Sequence, residues 1–308
     1  REDLPLAISI FQAGPIVGTG IAFVIGGMVL QVVGDSPPLV LPYFGELAPW
    51  QQTFVYLGLP GILLSIMILV IREPSRRPST RDPESSSDTE ELINFYKRNF
   101  KTIFFHHLGN LSLVLTGYAF VFWSITFFVR VHEMNAAEAS QIFGWIFIFF
   151  GPMGPFLVAY VARTLSKKGH RDANITAGML GGLITIPAVL IIQIAPSPFW
   201  AFVFYAPALA AVNSPFGIAS GALPVITPPH LRARVAAVYM LTGAIGMMFG
   251  PPLAGAFNEY IFPGPEGVRY SMITMTCFFG ITGVALLQLG RKHYALTMKN
   301  TESWAKDS

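Results

Sequence analysis

A single cysteine, Cys277, stands among 308 residues, so no internal disulfide can staple this fold, and no combination of Cys and His has the spacing of a zinc site. Charge is scarce too. At 12% the charged residues reach about half the ~25% of a soluble domain. Too few to cover a water-exposed surface, they are enough for a surface that faces lipid. The net charge of +3 is small, and the basic residues lie in the connections between apolar runs, which argues against nucleic acid as a partner. Paired intramembrane carboxylates, a His and Glu metal motif, and a nucleophile with a neighbouring base are all missing. Neither an enzyme nor a cofactor is expected.

What the chain does contain is apolar length: 53% of its residues are apolar and its mean hydropathy is +0.54. A helix needs about 20 residues to cross ~30 Å of hydrocarbon. Eight segments free of Asp, Glu, Lys and Arg qualify, over 6–33, 53–71, 108–129, 139–162, 174–194, 198–226, 235–258 and 270–289. The expected fold class is therefore all-α, an integral membrane bundle of eight transmembrane helices. Lys and Arg test the count independently. Eighteen of the twenty fall on one side of the alternation, leaving only Arg130 and Arg269 on the other. By the positive-inside rule both ends and the long 72–101 loop are cytoplasmic. Arg1 leads straight into an apolar helix and reads like the end of a cytoplasmic loop, so residues upstream of it are expected.

The long loop opens with "REPSRRPSTRDPESSSDTEE", whose Pro, Ser and mixed charge cannot bury enough apolar surface to fold. After a helix cap at Asp88 or Thr89, Leu92, Tyr96, Phe100 and Ile103 recur at helical spacing, which predicts a short helix on the cytoplasmic membrane face. The linker divides the spans into two before and six after.

The stretch "PPHLRARVAAVYMLTGAIGMMFGPPLAGAF", with Gly246, Gly250, Pro251 and Gly255, resembles the region from the tenth to the eleventh helix of the major facilitator superfamily. "AGPIVGTGIAFVIGG" resembles that superfamily's fifth helix, and an offset of 232 residues pairs Gly14 with Gly246, Gly18 with Gly250 and Ala22 with Ala254. The loop "VARTLSKKGHR" is similar to the basic signature after the eighth helix, but Ala162 or Arg163 stands where its acid belongs. "WQQTFVYLGLPGILLSIMILVIREP" and "TGYAFVFWSITFFVR" resemble the spinster-like branch. This likeness implies a partial fold running from helix five to helix twelve. Residues 1–71 would be the last two helices of the N-terminal bundle, 72–107 a cytoplasmic linker with its interfacial helix, 108–290 a complete six-helix C-terminal bundle, and 291–308 a cytoplasmic tail. It also implies an amphiphilic substrate of the lysophospholipid or sphingosine-phosphate class moved by alternating access, coupling to protons or another ion, membrane lipid as surroundings, and a monomer when complete. A carrier of another small organic solute or drug, and a non-transporting membrane scaffold or truncated fragment, are the alternatives. Short outer loops point to a bacterial inner membrane.

Within this frame, Ser112, Thr116, Ala119, Trp123, Thr126 and Arg130 form one continuous helical face, small, polar and aromatic. Helix seven of the family lines the central cavity, so a headgroup would meet Thr116, Thr126 and Arg130 while Trp123 packs on its chain. Equally, such a face can be a helix interface, and Arg130 can be an arginine snorkelling to the membrane surface. Asn213 should face protein or water, since an unpartnered amide in lipid is expensive. Gln12 and Tyr239 are the remaining substrate-binding candidates. His106 and His107 are expected beside headgroups, solvated at the cytoplasmic interface. No Asp or Glu lies inside any of the eight segments, so the carboxylate that a proton-coupled carrier ordinarily uses is expected outside this stretch of chain.

Overall fold

In lipid, backbone N–H and C=O groups have no solvent partner, so charge-free apolar segments satisfy them within helices. The computed structural model describes residues 4–43, 45–70, 86–214 and 222–307, and the side chains of 14–43, 45–70, 89–214 and 222–301. α1 (Leu4–Asp35) leads through a two-residue antiparallel ribbon, β1 (Val40–Leu41) on β2 (Gly45–Glu46), into α2 (Pro49–Ile68). Gly45 sits in the ribbon at φ 72°, a backbone conformation that glycine adopts without strain. Pro49 starts α2 where no backbone donor is needed, and the Gln51 side chain accepts the Ala48 N–H at 2.8 Å. α3 (Ser86–Arg98) then precedes α4 (Phe100–Val131), whose 32 residues span about 48 Å at 1.5 Å per residue.

α5 (Ala136–Phe150) begins at an Asn135 cap, whose side chain accepts the Ala137 N–H at 2.8 Å. A turn at Gly151 and Pro152 joins it to α6 (Met153–Lys167), and the pair makes one long crossing. α7 (Ala173–Gln193), α8 (Pro198–Asn213) and a short helix over 222–226, α9, follow. A 3-10 turn, Pro229–Leu231, introduces α10 (Arg232–Ala256). α11 (Gly267–Met275) continues through a π segment, Thr276–Gly280, into α12 (Ile281–Asp307).

The all-α membrane bundle expected from the sequence is what the chain forms, with one correction. Among the described residues seven helical stretches are long and apolar enough to cross a membrane. Of the expected 198–226 span, α8 and the 222–226 helix are described, and 215–221 lie outside the described residues. The helix carrying the predicted polar face starts at Phe100, not 108, so Phe100 and Ile103 belong to α4 and not to the linker helix. The helical 291–307 stretch likewise continues α12.

Two side-chain clusters hold α4 to its neighbours. One is aromatic: Phe128 stacks on Phe202 at 3.9 Å, Phe120 on Tyr205 at 4.9 Å, and the buried Tyr205 hydroxyl donates to Ser124 Oγ at 2.8 Å. The other, nearer the Lys- and Arg-rich end of the bundle, gathers Phe95, Ile103, Ile175, Val235, Tyr239 and Tyr294. There the Tyr294 hydroxyl donates to the Ala222 carbonyl at 2.8 Å, and Arg291 Nε donates to Asp172 Oδ2 at 2.7 Å across 119 residues of sequence.

Candidate functional site

Two helix seams organise the region that the sequence marks as functional. α4 and α10 run in the same direction, and glycines on α10 let them touch. A Cβ at Gly250 would stand 2.6 Å from the Leu115 carbonyl oxygen, and one at Gly246 would stand 2.9 Å from Val114 Cγ1. Further along, the Trp123 indole N–H donates to the Pro251 carbonyl at 3.0 Å and the ring lies over Gly255. Small residues thus bring backbones close where lipid offers no hydrophobic drive for association.

The second seam is antiparallel, between α1 and α5. A Cβ at Gly144 would meet the Val24 nitrogen at 2.6 Å and the Gly20 carbonyl oxygen at 2.7 Å, and one at Gly27 would meet the Ala137 carbonyl oxygen at 2.7 Å. Ser140 Oγ donates to the Phe23 carbonyl at 2.8 Å, and Gln141 Nε2 reaches Gln31 Oε1 at 3.4 Å. Toward the opposite end of α1 the Ile16 side chain reaches Gly151, where a Cβ would meet its Cγ2 at 2.9 Å, but Gly14 and Gly18 have no neighbour within 4 Å of such a Cβ among the described residues. Backbone meets backbone, therefore, along the half of α1 that ends at Asp35. At that end a groove of about 720 Å³ opens between Gln31, Asp35, Asn135, Glu138 and Gln141.

The predicted face of α4 divides along its length. Thr116 is 1% exposed, its hydroxyl donating to the Ser112 carbonyl at 3.1 Å, while Ser112 donates to Leu108 at 2.9 Å. Both hydroxyls spend their donors on their own helix, and Ala119 beside them is fully buried. Trp123 and Thr126 are half-buried and Arg130 is exposed. Asn213, buried, donates to the Leu209 carbonyl at 2.8 Å within α8. The Gln12 side chain lies outside the described residues. Tyr239 belongs to the α4–α10 seam but sits a long way from Trp123, packed against two histidines.

Those histidines overturn an expectation. His106 is fully buried and His107 is 7% exposed, so neither is solvated beside headgroups. Their burial follows from the early start of α4, which places a turn and a half of helix below them and packs them against α3 and α10. The spacing of Ile103, His106, His107 and Asn110 on one inward face is the signal that finds them.

At the basic end, partial burial works to raise the Asp172 pKa, but hydrogen bonds from Arg291 and Thr176 and the Arg291 charge outweigh it, holding the carboxyl below its usual range. Among the described residues no group of three or more His, Cys, Asp or Glu is placed to hold a metal ion.

Proline-bearing crossings, a glycine-lined antiparallel seam and a parallel α4–α10 seam make up a closely packed helical membrane bundle. The profile of the Major Facilitator Superfamily matches residues 1–251, and the chain belongs to that superfamily. It is 26% identical over 305 residues to protein spinster homolog 3 of Danio rerio, covering 90% of this chain and 57% of that protein. An MFS-type efflux pump of Mycolicibacterium smegmatis is 20% identical over 300 residues, covering 96% of this chain and 64% of the pump. The chain thus spans about three fifths of the curated relatives it matches. In fold it is similar to the inward-facing, unoccupied crystal structure of a bacterial homolog of the human lysosomal transporter Spinster, with a TM-score of 0.73 at 21% identity over 96% of this chain and 72% of that one. The occupied form of the same homolog gives 0.71, over 95% and 70%.

Proposed function

We propose that this chain is part of a secondary active transporter that moves an amphiphilic, lipid-like solute of the lysophospholipid or sphingosine-phosphate class by alternating access, with protons as the coupling ion. The observation that carries the reading is the α1–α5 seam, where Ile16, Gly20, Val24 and Gly27 on one face of α1 pack directly on Gly151, Gly144 and the Ala137–Gln141 turn across the linker, as expected of a contact between two bundles. Arg130 supports the choice of solute, because an exposed guanidinium beyond a half-buried Thr126 and Trp123 pairs an anion-binding fork with an aromatic surface. The likeness to spinster-type proteins supports the same choice. The substrate contacts are Thr126, Trp123 and Arg130, with Thr116, Asn213, Gln12 and Tyr239 as the further substrate-binding residues of the same proposal. The membrane is a plasma membrane, with both ends of the chain cytoplasmic, a reading that the Lys and Arg alternation supports.

A second reading, a carrier of another small organic solute or drug, is favoured by the mycobacterial efflux pump among the relatives. Uptake separates the two. Proteoliposomes containing the protein should accumulate a fluorescent lysophospholipid when an inward proton gradient is imposed, and collapse of the gradient should stop uptake. Uptake of small organic cations without any of the lysolipid would overturn the lipid assignment in favour of the second reading.

A further inference from the structure

The buried histidines form a cluster that the transport reading leaves unused. His106 and His107 have ring centroids 5.5 Å apart, and Tyr239 of α10 lies 5.4 Å from the first and 5.5 Å from the second. Tyr96 of α3 approaches His107 at 6.3 Å. Asn110 lies one turn further along the same face of α4. Four imidazole nitrogens, the Tyr96 hydroxyl and Asn110 Oδ1 are buried there and find no hydrogen-bond partner among the described residues.

A buried polar group left without a partner costs about 1–3 kcal/mol, so six together in one place call for an occupant or a second arrangement. The donor set decides which. Two neutral imidazoles supply two N–H donors and two lone pairs. One added proton turns the pair into a donor-rich unit that can bond between the rings, to Asn110 Oδ1, to either phenol oxygen and to the Ile103 carbonyl that faces His107. A metal fits poorly, since no third His, Cys, Asp or Glu joins the pair among the described residues.

We propose that His106 and His107 form a proton-binding site whose occupancy is tied to separation of α10 from α4. An imidazolium buried without a counter-ion is strongly disfavoured, so the proton is taken up when the seam opens and water reaches the rings. The surrounding charges fit that reading. α3 and α10 face the pair with Tyr96 and Tyr239, and α4 carries Lys101 below it. On α12, Thr297 is engaged by Thr102, His293 stacks on Phe105, and Arg291 is held by Asp172. His230 pairs with Glu91 at 3.0 Å, and no carboxylate faces the two rings among the described residues. The inference goes beyond the transport reading, because such a site stands or falls whatever solute the chain moves.

The test uses the protein labelled with ¹⁵N-histidine in lipid nanodiscs, carrying H132Q, H170Q, H230Q and H293Q so that only the pair reports. The pair should take up one proton as pH is lowered, seen at both rings, and amide exchange over 235–243, corrected for its intrinsic rate, should quicken with it by up to about tenfold per unit of pH lowered, the limit for one linked proton. Rings that stay in fixed neutral tautomers, or that titrate while exchange over 235–243 is unchanged, overturn the proposal. If the fourfold variant does not fold, exchange in the unsubstituted protein decides: a pH-dependent rate over 235–243 that H106Q or H107Q abolishes supports it, and a pH-independent rate overturns it.

Discussion

Replacing Gly144 by alanine should destabilise the chain, whereas the same change at Gly18 should stabilise it. Alanine gains about 0.8–1.0 kcal/mol over glycine inside a helix, and that gain is common to both sites. At Gly18 nothing among the described residues lies within 4 Å of the new Cβ, so the gain is kept in full. At Gly144 the Cβ would stand 2.6 Å from the Val24 nitrogen and 2.7 Å from the Gly20 carbonyl oxygen. Ordinary contact needs about 3.4 Å or more, so α1 must back away by close to an ångström, and overpacking of this kind costs about 1–3 kcal/mol. Because the obstructing atoms belong to the backbone of α1 and not to a pliable side chain, the upper part of that range applies. The net loss at Gly144 is then about 1–2 kcal/mol, and the two variants should differ by about 2–3 kcal/mol. Thermal unfolding in a single detergent, followed by tryptophan fluorescence, reads the order directly, with G18A above the parent and G144A below it. If G144A unfolds at or above the temperature of G18A, the α1–α5 seam is not packed as described.

Three further outcomes follow from other contacts. W123F keeps the aromatic packing on Gly255 but removes the indole donor to the Pro251 carbonyl, and should lower stability by about 1 kcal/mol in the same assay. Asp172 has a carboxyl pKa depressed in the folded state, so its contribution is fully present above the unfolded value of about 3.9 and fades as pH falls through the lower folded value. D172N should therefore unfold at a lower temperature than the parent at neutral pH and converge with it once the pH falls below the depressed folded value, as thermal melts across a pH series would record. R130A should cut lysophospholipid uptake by about tenfold or more in proteoliposomes, since a charge-assisted bond to a phosphate is worth roughly 1.5–3 kcal/mol, while leaving the melting temperature within a degree or so of the parent.

Fold class was legible because, in a chain this poor in Lys, Arg, Asp and Glu, a charge-free run of some twenty residues is long enough to cross a bilayer and too apolar to face water. The resemblance to the spinster-like branch likewise agrees with the relatives that the chain as a whole matches. What sequence could not show was register. The charge-free criterion began the third span at Leu108 because His106 and His107 read as boundary residues, yet the helix already runs from Phe100 and turns both rings inward. The indole bond of Trp123 joins residues 128 apart in sequence, on two parallel helices, and no local pattern announces it. Of the offset pairs, Gly246 and Gly250 touch α4, while Gly14 and Gly18 have no close neighbour among the described residues. Of the small polar face on α4, the buried half satisfies itself by bonds back to its own helix, a local option open to Ser and Thr that spacing alone leaves undecided.

Alternating access is the central claim, and the distance between the sealed ends of α1 and α5 tests it most directly. In a C277S background, spin labels at Gln31 and Gln141, whose side chains meet at 3.4 Å, report that distance by double electron–electron resonance in nanodiscs. The account predicts a short population that gives way to a longer one as lysophospholipid is added or as pH is changed. A single short distance, unmoved by lipid and by pH, would contradict it.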